Sequence, residues 1–206
     1  DGTGEIQSGW PVSISDLFGN QYYENSVQTN DGIFISFKDN SSGNYDVYGQ
    51  FIEFNGSLMF SSSGAAIASG ANDQQSSTLA YNQVQDIVFV CYESPDGSET
   101  DVHCNEINLS TQLVSEEIII CSEEKNQNNP FVYSSGHSFM IAWEDSRNSA
   151  TLNSGVDVYF QEYDNGNYTF PSGGQVITTF HQKQERPIIS KYSETENLYL
   201  ILWEDY

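Results

Sequence analysis

The chain has 206 residues, and its 29 Asp and Glu against 6 Lys and Arg give a formal net charge of -23 at pH 7. So negative a surface repels nucleic-acid phosphates and anionic lipid headgroups, which argues against nucleic-acid partners and direct membrane insertion. Aromatic residues make up 14% of the chain, too many for a disordered acidic tail, and this composition is typical of a secreted or cell-surface β-protein.

The sequence contains four copies of an apolar run that ends in an aromatic residue and an acidic segment. The four aromatic residues are Phe37, Tyr92, Trp143 and Trp203. After the first three runs comes an Asp-Val-aromatic segment, which begins at Asp46, Asp101 and Asp157. The period of roughly 50 to 60 residues exceeds that of ankyrin or leucine-rich repeats and is close to that of one propeller blade. The chain is therefore predicted to be a repeat protein.

These repeats predict a single repeat domain over residues 1–206 with an all-β fold. We expect a β-propeller-like array of four-stranded antiparallel blades, about four repeats with an incomplete terminal blade. The predicted units are a partial blade at 1–16, blades at 17–70, 71–122 and 123–180, and a partial blade at 181–206. The chain opens after a third strand and stops after a second. We therefore expect a piece of a longer polypeptide, or a ring completed by another segment or copy.

Within each unit the strands can be placed in chain order. In the first partial blade, residues 10–13 are expected to form an outer strand. In the third repeat, residues 130–133 form a first strand, and residues 139–143 are apolar at every position, which predicts a strand covered on both faces. A third strand follows at 156–163, then a hairpin turn at Asn165 and Gly166 and an outer strand at 175–178.

Side-chain amides recur at two fixed places in the repeat. Those in the third strands are Gln50, Asn105 and Gln161, and those that precede the first strands are Gln21, Gln75, Gln127 and Gln184. Amides at fixed repeat positions usually bond backbone groups at turns. We therefore assign them a structural role and no chemistry.

Two of the three cysteines are placed by the expected strand pairing. If the second repeat pairs Tyr92 with His103 in an antiparallel hairpin, Cys91 lies opposite Cys104 at a distance that a disulfide tolerates. The alternative is that both are small buried residues in a blade interior. Cys121 is expected to be an unpaired buried thiol.

The hairpins also bring acidic residues together. The predicted carboxylate pairs are Asp39 with Asp46, Asp96 with Asp101, and Asp145 with Asp157. Opposed carboxylates repel, so they require a cation or hydrogen-bond donors. Calcium is the cofactor that such oxygen ligands favour. The alternative is that these residues cap turns through their own hydrogen bonds, with Arg147 neutralising the third pair.

Exposed aromatic residues provide a second candidate site. Tyr22, Tyr23, Tyr168 and Phe170 lie in or near polar turns, where aromatic rings can stack on sugars. Such stacking would make glycans a partner class. The alternative is that these rings pack against neighbouring blades or loops.

No residue is predicted to be catalytic. The three histidines, His103, His137 and His181, occupy unrelated repeat positions and none lies in a nucleophile or zinc motif. Paired carboxylates are also what a glycosidase needs. In so acidic a chain, however, such pairs also arise by chance. We therefore expect a protein that is not an enzyme.

The third repeat resembles a known family of tandem repeats. Its motif runs from Trp143 to Arg147, continues from Asp157 to Gln161 and ends at the Asn165-Gly166 turn. It is similar to the W-x-D-x-R…D-I-Y-x-Q repeats of large secreted bacterial cell-surface proteins, which look like propeller blades. Elsewhere the chain departs from that pattern: aromatics other than Trp stand at 37 and 92, and the first two repeats lack the Arg. The resemblance implies an exported, modular, non-catalytic or adhesive protein.

We therefore expect a non-enzymatic extracellular or cell-surface scaffold or adhesion module. It would be part of a larger surface protein or a self-assembling filament subunit, because an open edge strand is a template for another chain. Its partners would be other copies or neighbouring domains of the same polypeptide. The alternative function is a carbohydrate-binding or glycosidase-like propeller.

Overall fold

The computed structural model describes residues 9–149, 155–180, 182–193 and 196–206, and every helix-or-strand element in those ranges is a β-strand. The strands are β1 (Gln21–Gln28), β2 (Gly32–Asp39), β3 (Asp46–Glu53), β4 (Ala65–Ala68), β5 (Gln75–Asn82), β6 (Ile87–Asp96), β7 (Glu99–Asn108), β8 (Leu113–Val114), β9 (Ile118–Cys121), β10 (Gln127–Ser134), β11 (Phe139–Asp145), β12 (Asp157–Asp164), β13 (Asn167–Tyr168), β14 (Gln175–Val176), β15 (Gln184–Ser193) and β16 (Leu198–Asp205). The all-β class is confirmed. His181 and residues 1–8 lie outside the described residues.

The strands form four antiparallel sheets that follow one another along the chain. The first sheet has the order β1-β2-β3-β4, and the fourth contains β15 and β16. The second is β5-β6-β7 with both β8 and β9 on β7, and the third is β10-β11-β12 with both β13 and β14 on β12. These two sheets are thus five-stranded, not four-stranded as expected.

The split outer strand of the third sheet has a local cause. After the turn at Asn165, β13 pairs with β12 only through Tyr168 and Asn167. Pro171 then has no N–H to donate, and Gly173 and Gly174 have positive φ angles of 80° and 75°, so the ladder is interrupted. Pairing resumes as β14, which is shorter than the predicted strand at 175–178.

The central hairpin has the same register in three sheets. The repeat aromatic pairs with the aromatic of the Asp-Val segment: Phe37 with Tyr48, Tyr92 with His103, and Trp143 with Tyr159. This pairing confirms the register predicted for Tyr92 and His103. The two repeated motifs of the sequence are therefore the two central strands of one hairpin.

The central strands of the second and third sheets are covered on both faces. Along β6, Val90 and Tyr92 pack in a cluster with Phe34 of the first sheet, whereas Phe89 packs in a cluster with residues of the third sheet. The rings of Phe89 and Phe139 stack with centroids 4.4 Å apart. Successive side chains of a strand point to opposite faces, so each apolar strand fills two layers of core.

The first strand of every sheet carries a bulge at the same place. Near the start of β5, β10 and β15, two consecutive residues have no pairing partner on the next strand, and in β1 the one unpaired residue is Glu24. Ser76, Asn129 and Arg186 lie in these bulges with positive φ angles of 56°, 49° and 55°. A non-glycine residue seldom adopts such an angle unless its surroundings hold it there.

The two ends of the described chain differ from the middle. Residues 10–13 form no strand, in contrast to the prediction; Pro11 cannot donate to a ladder, and Gly9 lies beside the Asn55 turn of the first sheet. In β16, Leu200 and Leu202 are exposed whereas Ile201 and Trp203 are half-buried. The described part of the chain contains no helix with the length and hydropathy that membrane crossing requires.

Candidate functional site

The bulged segments of the four first strands line one open cavity of about 620 Å³. Its lining includes Glu24 and Asn25 of β1, Ser76 to Thr78 of β5, Asn129 to Phe131 of β10, and Arg186 to Ile188 of β15. Because all four sheets contribute to it, we call it the central cavity. Sequence reasoning missed this site, since no glycine signals the strained residues of the bulges.

Glutamates of one sheet bind the bulge of the next sheet. The Asn129 N–H of β10 donates to Oε1 of Glu93 in β6 at 2.9 Å. The Arg186 N–H of β15 donates to Oε1 of Glu144 in β11 at 2.8 Å. Hydrogen bonds to a charged acceptor are stronger than neutral ones, so each of these contacts fastens one sheet to the next.

The junction between the first and second sheets uses a different glutamate. Lys38 stands where the later repeats have Glu93 and Glu144, directly after the aromatic residue. Here Glu24 of β1 accepts from the N–H groups of Ser76 and Ser77, one on each carboxylate oxygen and both at 2.9 Å. We call these three glutamates, Glu24, Glu93 and Glu144, the junction glutamates.

The environment of Glu93 opposes ionisation of its carboxyl group. Burial raises the pKa of this carboxyl above its usual value of 4.5, although hydrogen bonds from Asn129, Ser76 and Gln75 act in the opposite direction. The negative charge of Glu144 raises the pKa further. Glu93 thus holds the second junction at the cost of a buried charge.

We expect Glu93→Gln to gain stability relative to the wild type as pH rises. The wild-type folded state binds this proton more tightly than the unfolded state, so its stability falls as pH rises from 4.5 through the raised pKa. Gln keeps an acceptor oxygen for Asn129 and has no charge to bury. Urea denaturation at a series of pH values between 4 and 8 measures the difference, with the exposed Glu196→Gln as control. Parallel stability curves for Glu93→Gln and wild type would contradict this assignment.

In the third sheet the W-x-D-x-R motif forms a buried network. Trp143 Nε1 donates to Asp145 Oδ2 at 2.9 Å, and Arg147 donates to both oxygens of Asp145 at 2.9 and 2.6 Å. Arg147 also donates to the carbonyl of Gly173 at 2.8 Å, and its guanidinium lies over the ring of Tyr159 at 4.1 Å. The motif thus joins the hairpin to the loop before β14.

Cys121 lies against the same network. It is free and buried, and its Sγ is 2.9 Å from Arg147 Nη2. Burial raises the pKa of this thiol to about 12, despite the positive charge of Arg147. A thiol with so high a pKa is not a nucleophile at neutral pH.

The hairpin aspartates of the first sheet are held by protein donors. Asp39 accepts from the backbone N–H and hydroxyl of Ser41 and from the amide of Gln21. Burial opposes its charged form, but these bonds outweigh that effect and hold the pKa of Asp39 below its usual range. Asp46, which pairs with Asp39, accepts from Ser42 Oγ at 2.7 Å and from Asn44 Nδ2 at 3.2 Å.

The predicted pairing of Asp96 with Asp101 is wrong. The register that pairs Tyr92 with His103 continues to the turn, so Asp101 pairs with Ser94 and Asp96 pairs with Glu99. Gly97, with a φ of 63°, closes this turn. The second hairpin therefore does not oppose these two aspartates.

In the third hairpin Asp145 does pair with Asp157. Asn148 Nδ2 donates to Asp157 Oδ2 at 3.1 Å, whereas the buried Oδ1 has no hydrogen-bond partner among the described residues. Across the described ranges no three His, Cys, Asp or Glu side chains form a group suited to a metal ion. The arrangement is that of carboxylates satisfied mainly by protein donors.

We expect chelation with EDTA to leave the melting temperature unchanged. The carboxylates of Asp39, Asp46 and Asp145 already have side-chain or backbone donors, so removal of a cation should free no charge there. Differential scanning fluorimetry with EDTA, and then with added CaCl₂, checks this. A fall of several degrees that calcium reverses would show that the hairpins hold the ion, and Asp157→Asn would then test the third one.

The four aromatic candidates do not form one surface. Tyr22 and Tyr23 lie on β1, where Tyr22 contacts Tyr45 edge to face with centroids 5.8 Å apart. Tyr168 donates its hydroxyl to the carbonyl of Ile119 at 2.9 Å. Phe170 packs edge to face on Phe160 at 5.7 Å. Tyr22, Tyr168 and Phe170 thus contact other parts of the protein, and Tyr23 is the most exposed of the four.

Most of the repeated amides bind backbone groups at turns, as their structural interpretation predicted, whereas Gln75 donates to the carboxylate of Glu93. Gln50 donates to the carbonyl of Ser61, Asn105 to that of Ser115, and Gln161 to that of Phe170. Cys91 and Cys104 pair across β6 and β7 and are joined by a disulfide.

The sequence matches no protein-family model and no curated protein. Among solved structures it is similar to the native arabinanase Arb43A of Bacillus subtilis, with 11% sequence identity and a TM-score of 0.50. The similarity covers 90% of this chain and 73% of the arabinanase chain. At this identity the likeness concerns the fold alone, and it supports a β-propeller-like, all-β architecture.

Proposed function

We propose that the chain is a non-enzymatic extracellular scaffold module of a larger surface protein. The observation that carries this proposal is that acidic residues form structural hydrogen bonds, both between sheets and within one sheet. The junction glutamates accept backbone N–H groups of the following sheet. Asp145, in the motif shared with the secreted repeats, is bound to Trp143 and Arg147.

Sugar hydrolysis requires a different arrangement of acids. A glycosidase needs two carboxyl groups that face the scissile bond, one able to donate a proton and the other to act as base or nucleophile. Of the junction glutamates, Glu24 has both oxygens bonded to β5, and Glu93 is buried with Asn129 and Gln75 on its two oxygens. Among the described residues these carboxylates serve packing between sheets.

We further propose that the four sheets are consecutive blades of a β-propeller array. The equal register of the central hairpins, the bulges at one place in every first strand and the convergence of these strands on the central cavity support this arrangement. In such an array each blade contacts mainly its two neighbours, and the array as a whole presents an extended surface that suits a scaffold.

An extracellular location fits the chemistry of the surface and of the cysteines. The net charge of -23 suits a protein that stays in solution beside other acidic surfaces. The disulfide between Cys91 and Cys104 suits an oxidising compartment, because disulfides are rare in the cytosol.

The proposal is tested by an assay for hydrolysis. The purified chain is incubated with arabinan, xylan, pectin and chitin, and reducing ends are measured over a day, with an arabinanase as positive control. We expect no release above the buffer blank. Release that is lost in Glu24→Gln or Glu144→Gln would overturn the non-enzymatic assignment.

A second candidate function is carbohydrate binding in the central cavity. The likeness to an arabinanase favours it, as does the lining, in which Phe131 and Ile188 lie beside the polar Asn25 and Asn129. Titration calorimetry with arabino-oligosaccharides tests it, with Phe131→Ala as the variant. Saturable heat that Phe131→Ala abolishes would make the module a lectin.

A further inference from the structure

Within the described residues, one apolar face of the fourth sheet is not covered. In β16, Leu198, Leu200 and Leu202 are 47%, 42% and 50% exposed, and Ile188 of β15 is 44% exposed. Alternate residues of a strand share a face, and Ile188 pairs with Leu202, so these four side chains lie on the same side of the sheet. Together with Glu204 we call them the open face.

The equivalent positions in the preceding sheets are covered by the next sheet. With the repeat aromatics aligned, Leu202 corresponds to Ala142 and Cys91, both of which are fully buried. Glu204 corresponds to Glu144 and Glu93, each of which accepts the bulge N–H of the following sheet. The open face therefore continues a series of interfaces that this chain has already formed twice.

Glu204 carries the same carboxylate as Glu93 and Glu144 but accepts from side chains and not from a bulge N–H. It lies at the surface, where Arg186 Nη1 is 3.2 Å from one of its oxygens and the Tyr206 hydroxyl donates to the other. Its side chain is 47% exposed, whereas Glu144 is buried. An exposed ion pair of this kind contributes little to stability. The carboxylate is thus free to exchange these contacts for a backbone N–H.

We propose that the open face binds a further sheet of the same repeat type, whose bulged first strand donates a backbone N–H to Glu204. This inference rests on the proposed scaffold function. The required strand has the pattern Gln-x-x-Pro, as at Gln127 to Pro130 and Gln184 to Pro187, with a residue of positive φ before the proline. Its apolar residues would cover Leu200 and Leu202.

The first sheet of a second copy does not meet this requirement. The bulge of β1 is a single residue, Glu24, where the other first strands have Ser76, Asn129 and Arg186. Docking through that sheet would bring a carboxylate towards Glu204, and like charges at short range repel. The open face therefore fits a repeat whose first strand has the Gln-x-x-Pro pattern, as in the third and fourth sheets.

The test extends the chain by one repeat. Tyr206 occupies the repeat position of Ser146, so a second copy of residues 147–206 appended after Tyr206 continues the register. It supplies the outer strands of the fourth sheet and then a fifth sheet that begins with the Gln-x-x-Pro strand. We expect the extended chain to unfold in one transition at a higher temperature than the 206-residue chain.

The role of Glu204 is measured in both chains. We expect Glu204→Ala to lower the melting temperature of the extended chain by about 3 °C, and to leave that of the original chain within about 1 °C. Glu196→Ala, an exposed glutamate before the same strand, is the control. Hydrogen exchange adds a readout in the folded state: amides of β16 should exchange more slowly in the extended chain.

Three results would overturn the proposal. These are an extended chain whose added part unfolds separately, an effect of Glu204→Ala that is equal in the two chains, and unchanged exchange in β16. A dimer of the original chain that Leu200→Asp abolishes would assign the face to a second copy instead. None of these results depends on polysaccharide hydrolysis, which tests the proposed function alone.

Discussion

Replacement of Trp143 by alanine is expected to lower the free energy of unfolding by about 3 to 5 kcal/mol. The side chain has no exposed surface and belongs to the core cluster between the second and third sheets. Its Nε1 donates to Asp145, and its ring packs so closely on Gly174 that a Cβ added there would lie 2.4 Å from the ring. The variant would leave a cavity and would remove one donor to Asp145 Oδ2, an oxygen that Arg147 would still bind.

Trp203 is the matched control for this experiment. It is the same residue at the same repeat position, but it is only half-buried in the fourth sheet. Urea denaturation followed by circular dichroism should show a clearly smaller loss for Trp203→Ala than for Trp143→Ala. Equal losses, or a Trp143→Ala variant as stable as the wild type, would mean that β11 is not enclosed between two sheets.

The second large effect is expected for Arg147→Met, which should cost about 3 to 5 kcal/mol. The carboxylate of Asp145 is fully buried, and Arg147 is the cation that contacts it, at 2.6 Å. Met retains much of the apolar stem but leaves a buried charge without compensation. The free energy of unfolding, again from urea denaturation, measures the loss.

Two further variants make this prediction specific. Arg186→Met removes an exposed arginine whose partner, Glu204, is also at the surface, so little change is expected. Adding Asp145→Asn to Arg147→Met removes the uncompensated charge and should restore part of the stability. If the double variant were less stable than Arg147→Met alone, the charge of Asp145 would not be the cause.

The all-β class and the central hairpins could be predicted from the sequence because apolar pattern and hairpin register are local signals. The run at 139–143, apolar at each position, indicated a strand covered on both faces, and the structure buries it between two sheets. The register of Tyr92 and His103 followed from equal spacing around one turn. The same register places Ser94 opposite Asp101, so the predicted pairing of Asp96 with Asp101 was wrong.

The site was less accessible to sequence reasoning. The central cavity depends on bulges at Ser76, Asn129 and Arg186. Asn adopts positive φ angles more readily than most residues, but Ser and Arg ordinarily avoid them, so the residue types do not indicate a shared geometry. A weaker signal did exist: a glutamate follows the aromatic in three repeats, at Glu93, Glu144 and Glu204. The role of this glutamate could not be inferred without the neighbouring sheet, because its hydrogen-bond partner is a backbone N–H about 40 residues further along the chain.

The disulfide of the second sheet also has a mechanical consequence. If the chain links other parts of a surface protein, as we propose, it is stretched whenever those parts are pulled apart. Cys91 and Cys104 are 13 residues apart, so the intervening chain cannot lengthen under tension while the bond is intact. The disulfide therefore keeps roughly 40 Å of chain length from being extended. A reducing environment would release it, and the same pulling force would then extend the unfolded molecule further.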